Sequence, residues 1–161
     1  MNQRELAMKV AWSYLGKWYK WGGDDPSGFD CSGFVVETMK SVGLMGRKAD
    51  ATAAMLFMNT KEYIVPAALL GEGDLLFFGN DLPSTYPGTN PREVRVNGVR
   101  SEITHVEIAI SRKFSIGASG GGSRTRTVDD AIRDNAFIKI RPINFDKLLF
   151  VTQPFSPNEV M

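Results

Sequence analysis

Cys31 is the chain's one cysteine and His105 its one histidine. A thiol with no internal disulfide partner either packs or reacts. Brought together, a thiol and an imidazole form the thiolate–imidazolium pair of a thiol hydrolase. The imidazole takes the thiol proton and later delivers one to a leaving amine. Cys31 follows a glycine-rich run, Tyr19-Lys20-Trp21-Gly22-Gly23-Asp24-Asp25-Pro26-Ser27-Gly28-Phe29-Asp30, and precedes a helix-forming stretch. That order predicts a thiol at the amino end of a helix. Unpaired N–H groups and the helix dipole favour negative charge there. The N–H of Cys31 and its neighbours would then hold an oxyanion. Taken alone, a single cysteine is more often a small buried hydrophobe, and a single histidine a structural residue. The converging loop, glycines and Asp-Cys-Ser-Gly favour chemistry at Cys31. One Cys and one His fall short of a transition-metal site, so no metal or other cofactor is expected.

Glu107 lies two residues from His105 on an apolar run that reads as a strand, hence on the same face. A carboxylate there raises the basicity of the ring. The alternative, a satisfied or solvated charge, stays open. Asp30 precedes the helix and reads as its N-cap, and Ser32 as a first-turn residue. Trp21 reads as core packing beside the loop. Gly22 and Gly23 read as backbone permissiveness.

These residues need a scaffold. Residues 3–15 carry Leu6, Val10 and Tyr14 on one helical stripe, with Ala7 and Ala11 beside it, predicting an amphipathic helix that ends near Gly16. Residues 16–30 predict a loop. Cys31 to Ser41 predicts the second helix, with Val35, Met39 and Val42 inward and Gly43 as its stop. Residues 50–60 predict a third, capped by Asp50. The pattern then turns to strands at Asp74–Phe78, Ile103–Ile110 and Phe137–Arg141. Asn97-Gly98 between alternating residues predicts a hairpin. Thr127–Asn135 predicts a short helix capped by Thr127. The last residues show two prolines and no clear periodicity. Helices first and strands second predict an α+β domain, helices packed on a mainly antiparallel sheet.

Length and charge exclude several classes. The 161 residues fit a single domain, 1–161. Nineteen basic residues against eighteen acidic ones, a net charge of +1, argue against a nucleic-acid surface. No apolar run approaches a membrane span. Met1-Asn2-Gln3-Arg4-Glu5 does not open a signal peptide. The expectation is synthesis in the cytoplasm without a leader.

Taken in order, Tyr19-x-Trp21-Gly22-Gly23, Phe29-Asp30-Cys31-Ser32-Gly33, Gly73-Asp74-Leu75-Leu76-Phe77-Phe78 and Thr104-His105-Val106 resemble the NlpC/P60 family of cell-wall cysteine peptidases, over about residues 5–120. The resemblance implies a papain-like α+β fold. It implies hydrolysis of amide bonds in peptidoglycan stem peptides, usually between the γ-carboxyl of D-glutamate and a diamino acid. Cys31 would be the nucleophile and His105 the general base and acid. Asp30 and Ser32 would bind the free amine of an N-terminal L-alanine, and Tyr19 would place its hydroxyl at the active site. The partner would be the stem peptide, with the protein acting on the cell wall.

The family usually sets a polar residue, often His, about twelve positions after the base to fix its tautomer. Here that place is Gly117, which offers a backbone carbonyl or room for a water. Glu107 is the possible substitute. Two alternatives remain: an N-acetylmuramoyl-L-alanine amidase or other thiol amidohydrolase, and a non-catalytic wall-binding or phage structural module. Residues 79–102 form an insertion before the histidine strand. Gly120-Gly121-Gly122-Ser123 lacks a phosphate-loop ending and reads as a mobile loop. The missing leader and wall-anchoring repeats resemble phage-borne members.

Overall fold

A computed structural model of the protein describes residues 1–25 and 28–155. The loop reading at Pro26 and Ser27, and the terminal reading at Pro157, lie outside the described residues. Helix α1 (Gln3–Ser13) starts in a reciprocal cap. The Asn2 side chain accepts the N–H of Glu5 at 2.8 Å, and the Glu5 carboxylate accepts the N–H of Asn2 at 3.0 Å. Its buried face is Gln3, Ala7, Met8 and Ala11. The expected stripe of Leu6, Val10 and Tyr14 is only half-buried, one flank away. Small Ala7 and Ala11 let the helix axis approach its neighbour closely, so they take the contact face.

That neighbour is α2 (Cys31–Ser41), at the expected bounds. Phe34, Val35, Val36, Thr38 and Met39 are all buried, so α2 is apolar nearly all round, as a central helix must be. Helix α3 (Ala53–Thr60) starts later than expected. Its cap is Thr52, whose hydroxyl accepts the N–H of Met55 at 3.2 Å. Only the residue just before the first turn can reach that N–H. Asp50 instead accepts the N–H of Ala51 at 2.8 Å.

The strands are β1 (Asp24–Asp25), β2 (Gly28–Phe29), β3 (Ile64–Val65), β4 (Leu75–Asp81), β5 (Glu93–Val96), β6 (Val99–Ala109), β7 (Phe114–Ser119), β8 (Phe137–Pro142) and β9 (Leu148–Thr152). Helix α4 (Val128–Asp134) lies between β7 and β8, capped by Thr127 as expected. Strands β1 and β2 form a small ribbon inside the glycine-rich loop. The main sheet has the order β3-β9-β4-β6-β7-β8, with β5 also pairing β6, and these strands pair antiparallel. Strand β9 inserts between β3 and β4, on the apolar run Leu148-Leu149-Phe150-Val151-Thr152, which is not among the expected strands. The hairpin joining β5 to β6 turns at Asn97 and Gly98, with φ of 51° and 80°.

Alternation along three neighbouring strands decides the site. Val106 and Ile108 on β6, Ile116 and Ala118 on β7, and Ile138 and Ile140 on β8 belong to the main core. The opposite side of the same strands therefore carries His105 and Glu107, Ser115 and Gly117, and Arg141.

Candidate active site

The amino end of α2 is built by Asp30. One carboxylate oxygen accepts the N–H of Gly33 at 2.7 Å and the Ser32 hydroxyl at 3.3 Å. The other accepts the N–H of Gly22 at 3.1 Å, while the N–H of Asp30 donates to the Gly23 carbonyl at 3.0 Å. A Cβ on Gly33 would stand 1.9 Å from that carbonyl oxygen, so only glycine lets the loop lie on the helix start. The loop thus holds Cys31, half-buried, as the first residue of α2. Burial lifts the Asp30 carboxyl above its ordinary range, against hydrogen bonds from Gly33, Gly22 and Ser32, and the charge of nearby Asp50 adds to the rise. Tyr19 is 5% exposed. Burial pushes its phenol up, and the charges of Cys31 and Asp30 add to the push.

The Cys31 thiol lines the same groove as the His105 ring and acts on the ring's charge. The ring's Nε2 stands 2.8 Å from Glu107 Oε2. With Nε2 facing the carboxylate, Nδ1 is the nitrogen left for sulfur. Burial alone would lower the ring's pKa. Hydrogen bonds to Cys31 and Glu107, with their negative charges, outweigh it and raise the value to about 9.

Glu107 is fully buried. Its Oε1 accepts the Ser115 hydroxyl at 3.1 Å, and its Oε2 accepts Arg141 Nε at 2.9 Å and also binds Arg141 Nη2. Burial pushes the carboxyl up, but His105 and Arg141 more than reverse that, leaving it below the ordinary range. The side chain crosses directly over Gly117. A Cβ there would meet Glu107 Cγ at 2.5 Å, Cδ at 3.0 Å and Cβ at 3.1 Å. Gly117 supplies room, and what fills it is a carboxylate. The backbone of Gly117 lies in the ladder opposite Lys139. The expected carbonyl or water at the ring is therefore replaced by the Glu107 side chain.

A groove of about 1010 Å³ opens over the pair. Tyr19, Asp30, Ser32 and Asp50 line one part of it, and Arg92, Ile103, Thr104 and Arg141 another. Trp21 is 43% exposed on the groove wall, not in the core. The turn at Trp21 and Gly22, where φ is +72°, breaks the alternation that buries Tyr19. The 120–126 loop is tied down: Thr125 accepts the N–H of Gly122 at 3.1 Å and donates to Asp134 at 2.8 Å. The insertion brings Pro91 and Arg92 to the groove, with the Ile103 N–H donating to the Arg92 carbonyl at 2.9 Å. Sequence reasoning missed Arg141, Arg92 and the groove position of Asp50. Nothing local marks them, since each acquires its place through strand pairing or loop packing.

The NlpC/P60 family model matches residues 16–141. The chain is 35% identical over 123 residues to the bifunctional muramidase/DL-endopeptidase CwlT of Bacillus subtilis (strain 168), covering 74% of this chain and 31% of that protein. Against murein DD-endopeptidase MepH of Escherichia coli (strain K12) the identity is 35% over 75 residues, covering 46% and 27%. The chain thus spans under a third of the length of these relatives. Among solved structures, the peptidoglycan hydrolase RipB from Mycobacterium tuberculosis matches with a TM-score of 0.64 and 21% identity, covering 96% of this chain and 65% of that one. An NlpC/P60 family protein from Bacillus cereus matches with 0.67 and 20%, covering 95% and 40%. At these identities the structures show the fold alone, which is the papain-like α+β arrangement.

Proposed function

The chain belongs to the NlpC/P60 family, and on that footing we propose that it is a cysteine peptidase cleaving amide bonds in peptidoglycan stem peptides. The bond is of the γ-D-glutamyl–diamino acid type. The observation that carries the reading is a ring held by the buried Glu107 carboxylate in the same groove as the Cys31 thiol. An imidazole with a pKa of about 9 keeps its proton at neutral pH, and a positive ring facing a helix start is the setting in which a thiolate nucleophile works.

The thiolate attacks the scissile carbonyl carbon, and the carbonyl oxygen takes the negative charge. First-turn N–H groups of Cys31 and Ser32, which have no acceptor inside the helix, stabilise that oxygen. The Tyr19 phenol stays protonated and can donate to the same centre. The intermediate collapses, the C–N bond breaks, and His105 gives its proton to the leaving amine. The neutral ring then takes a proton from water, whose hydroxide attacks the thioester. The product acid leaves, and the thiolate–imidazolium pair is restored. Glu107 holds the ring in one orientation and balances its charge throughout. Asp30, with Asp50 alongside, offers negative charge to a substrate amine, and the Ser32 hydroxyl oxygen offers a further acceptor.

Cys31→Ala tests the nucleophile. The variant folds, binds muropeptides and releases no product, whereas retained turnover removes the proposal. Mass spectrometry of products from intact wall and from free stem peptides separates a γ-D-glutamyl endopeptidase from an amidase. The relatives include a DL-endopeptidase and a DD-endopeptidase, so the cleaved bond is the part this assay decides. The non-catalytic alternative drew on a missing third group, and a carboxylate in the room over Gly117 removes that motive.

A further inference from the structure

We infer that Arg141 is a positioning residue of this site, acting on His105 through Glu107. The inference rests on the proposed cysteine-peptidase reading. A fully buried carboxylate needs compensating partners. Glu107 has four polar contacts: His105 Nε2, Ser115 Oγ, and Nε and Nη2 of Arg141. Arg141 grips it with two nitrogens of a planar fork, which fixes direction as well as charge. Its Nη2 also lies 3.2 Å from His105 Nε2. Two donors cannot bond each other, so with the ring protonated both must share the carboxylate between them. The carboxylate is thereby held at the point where Nε2–H meets it.

The groups facing Glu107 come from four strands. Strand β6 gives His105, β8 gives Arg141, β7 gives Ser115 and Gly117, and β4 gives apolar Leu76 opposite Glu107 in the ladder. Lys139 on β8 is engaged elsewhere, with its ammonium donating to the Asn135 carbonyl at 3.0 Å. Cys31 on α2 acts through the ring. Beside the protonated His105 ring, Arg141 is therefore the one cation set directly against Glu107 among the described residues. The Arg141 side chain is 41% exposed, so its replacement leaves the core intact.

The test is a double-mutant cycle of Arg141→Gln and Glu107→Gln, with Arg141→Lys as a second variant. Turnover of a purified muropeptide and the pH dependence of Cys31 alkylation by iodoacetamide are both read. Arg141→Gln is expected to lower kcat by roughly 10- to 100-fold, the scale of a lost hydrogen bond to a charged group. KM should hardly move, and the acid limb of both pH profiles should shift upward as Glu107 protonates more easily. In the Glu107→Gln background, losing Arg141 should cost less than about 2-fold more. Arg141→Lys, which keeps charge without the fork, should fall between. An equal loss in both backgrounds, or a raised KM with unchanged kcat, would assign Arg141 to direct substrate contact and overturn the inference. Unchanged profiles would overturn it too. If Cys31→Ala stays active, the parent reading fails, while the alkylation profiles still report on Arg141.

Discussion

Gly117→Ala adds one methyl group at the centre of the site. The backbone at Gly117 is not in the left-handed region, so alanine is conformationally acceptable there. The space is not: the new carbon would stand 2.5 Å from Glu107 Cγ, against ordinary contacts of 3.4–4 Å. Glu107 must retreat by about 1 Å or change rotamer. Either movement breaks its contact with His105 Nε2 at 2.8 Å and with Ser115 at 3.1 Å. Losing one hydrogen bond to a charged group removes about 1.5–3 kcal/mol, equivalent to about 10- to 150-fold in kcat if the bond serves the transition state. Overpacking a filled interior costs about 1–3 kcal/mol of stability, or roughly 2–12 °C in Tm. Muropeptide turnover followed by liquid chromatography and mass spectrometry reads the first effect, and thermal melting reads the second. Gly117→His combined with Glu107→Ala restores the family's usual arrangement and should regain activity over Gly117→Ala. Wild-type turnover and an unchanged Tm in Gly117→Ala would refute the placement of Glu107 over Gly117.

The ordinary pKa of His105 is 6.5 and its folded value about 9, so its contribution to stability is complete below 6.5 and fades as pH rises toward 9. Urea denaturation between those pH values should show stability falling, and Cys31→Ala should flatten the slope by removing one of the ring's two partners. Thr52→Ala should cost about 1 kcal/mol through loss of the α3 cap, while Asp50→Ala leaves α3 stable; melting curves distinguish them. Arg100 ties the insertion through Glu93 and the carbonyls of Tyr86 and Gly88. Arg100→Ala should expose residues 83–91 to limited proteolysis, seen as a single nick by mass spectrometry, with the rest of the domain intact.

Local chemistry was enough to read several features from the chain alone. A lone thiol after a glycine-rich loop and before a helical stretch located the amino end of α2, because capping and helix starts depend on a few adjacent residues. Asn97-Gly98 located the hairpin, since a tight turn with positive φ at both positions admits few residue pairs. Period-two spacing put Glu107 on the side of His105. Other features are non-local and came only with the folded chain. The place of β9, between β3 and β4, comes from the sheet. Trp21 stands in the groove because a turn interrupts its register. Gly117 looked like a missing catalytic group until β7 was paired beside β6, which showed its emptiness filled by a side chain from the neighbouring strand. Arg141 reaches the same carboxylate only because β8 closes the layer. Sequence spacing orders residues along one element, but which side chain occupies another's space is settled by packing between elements.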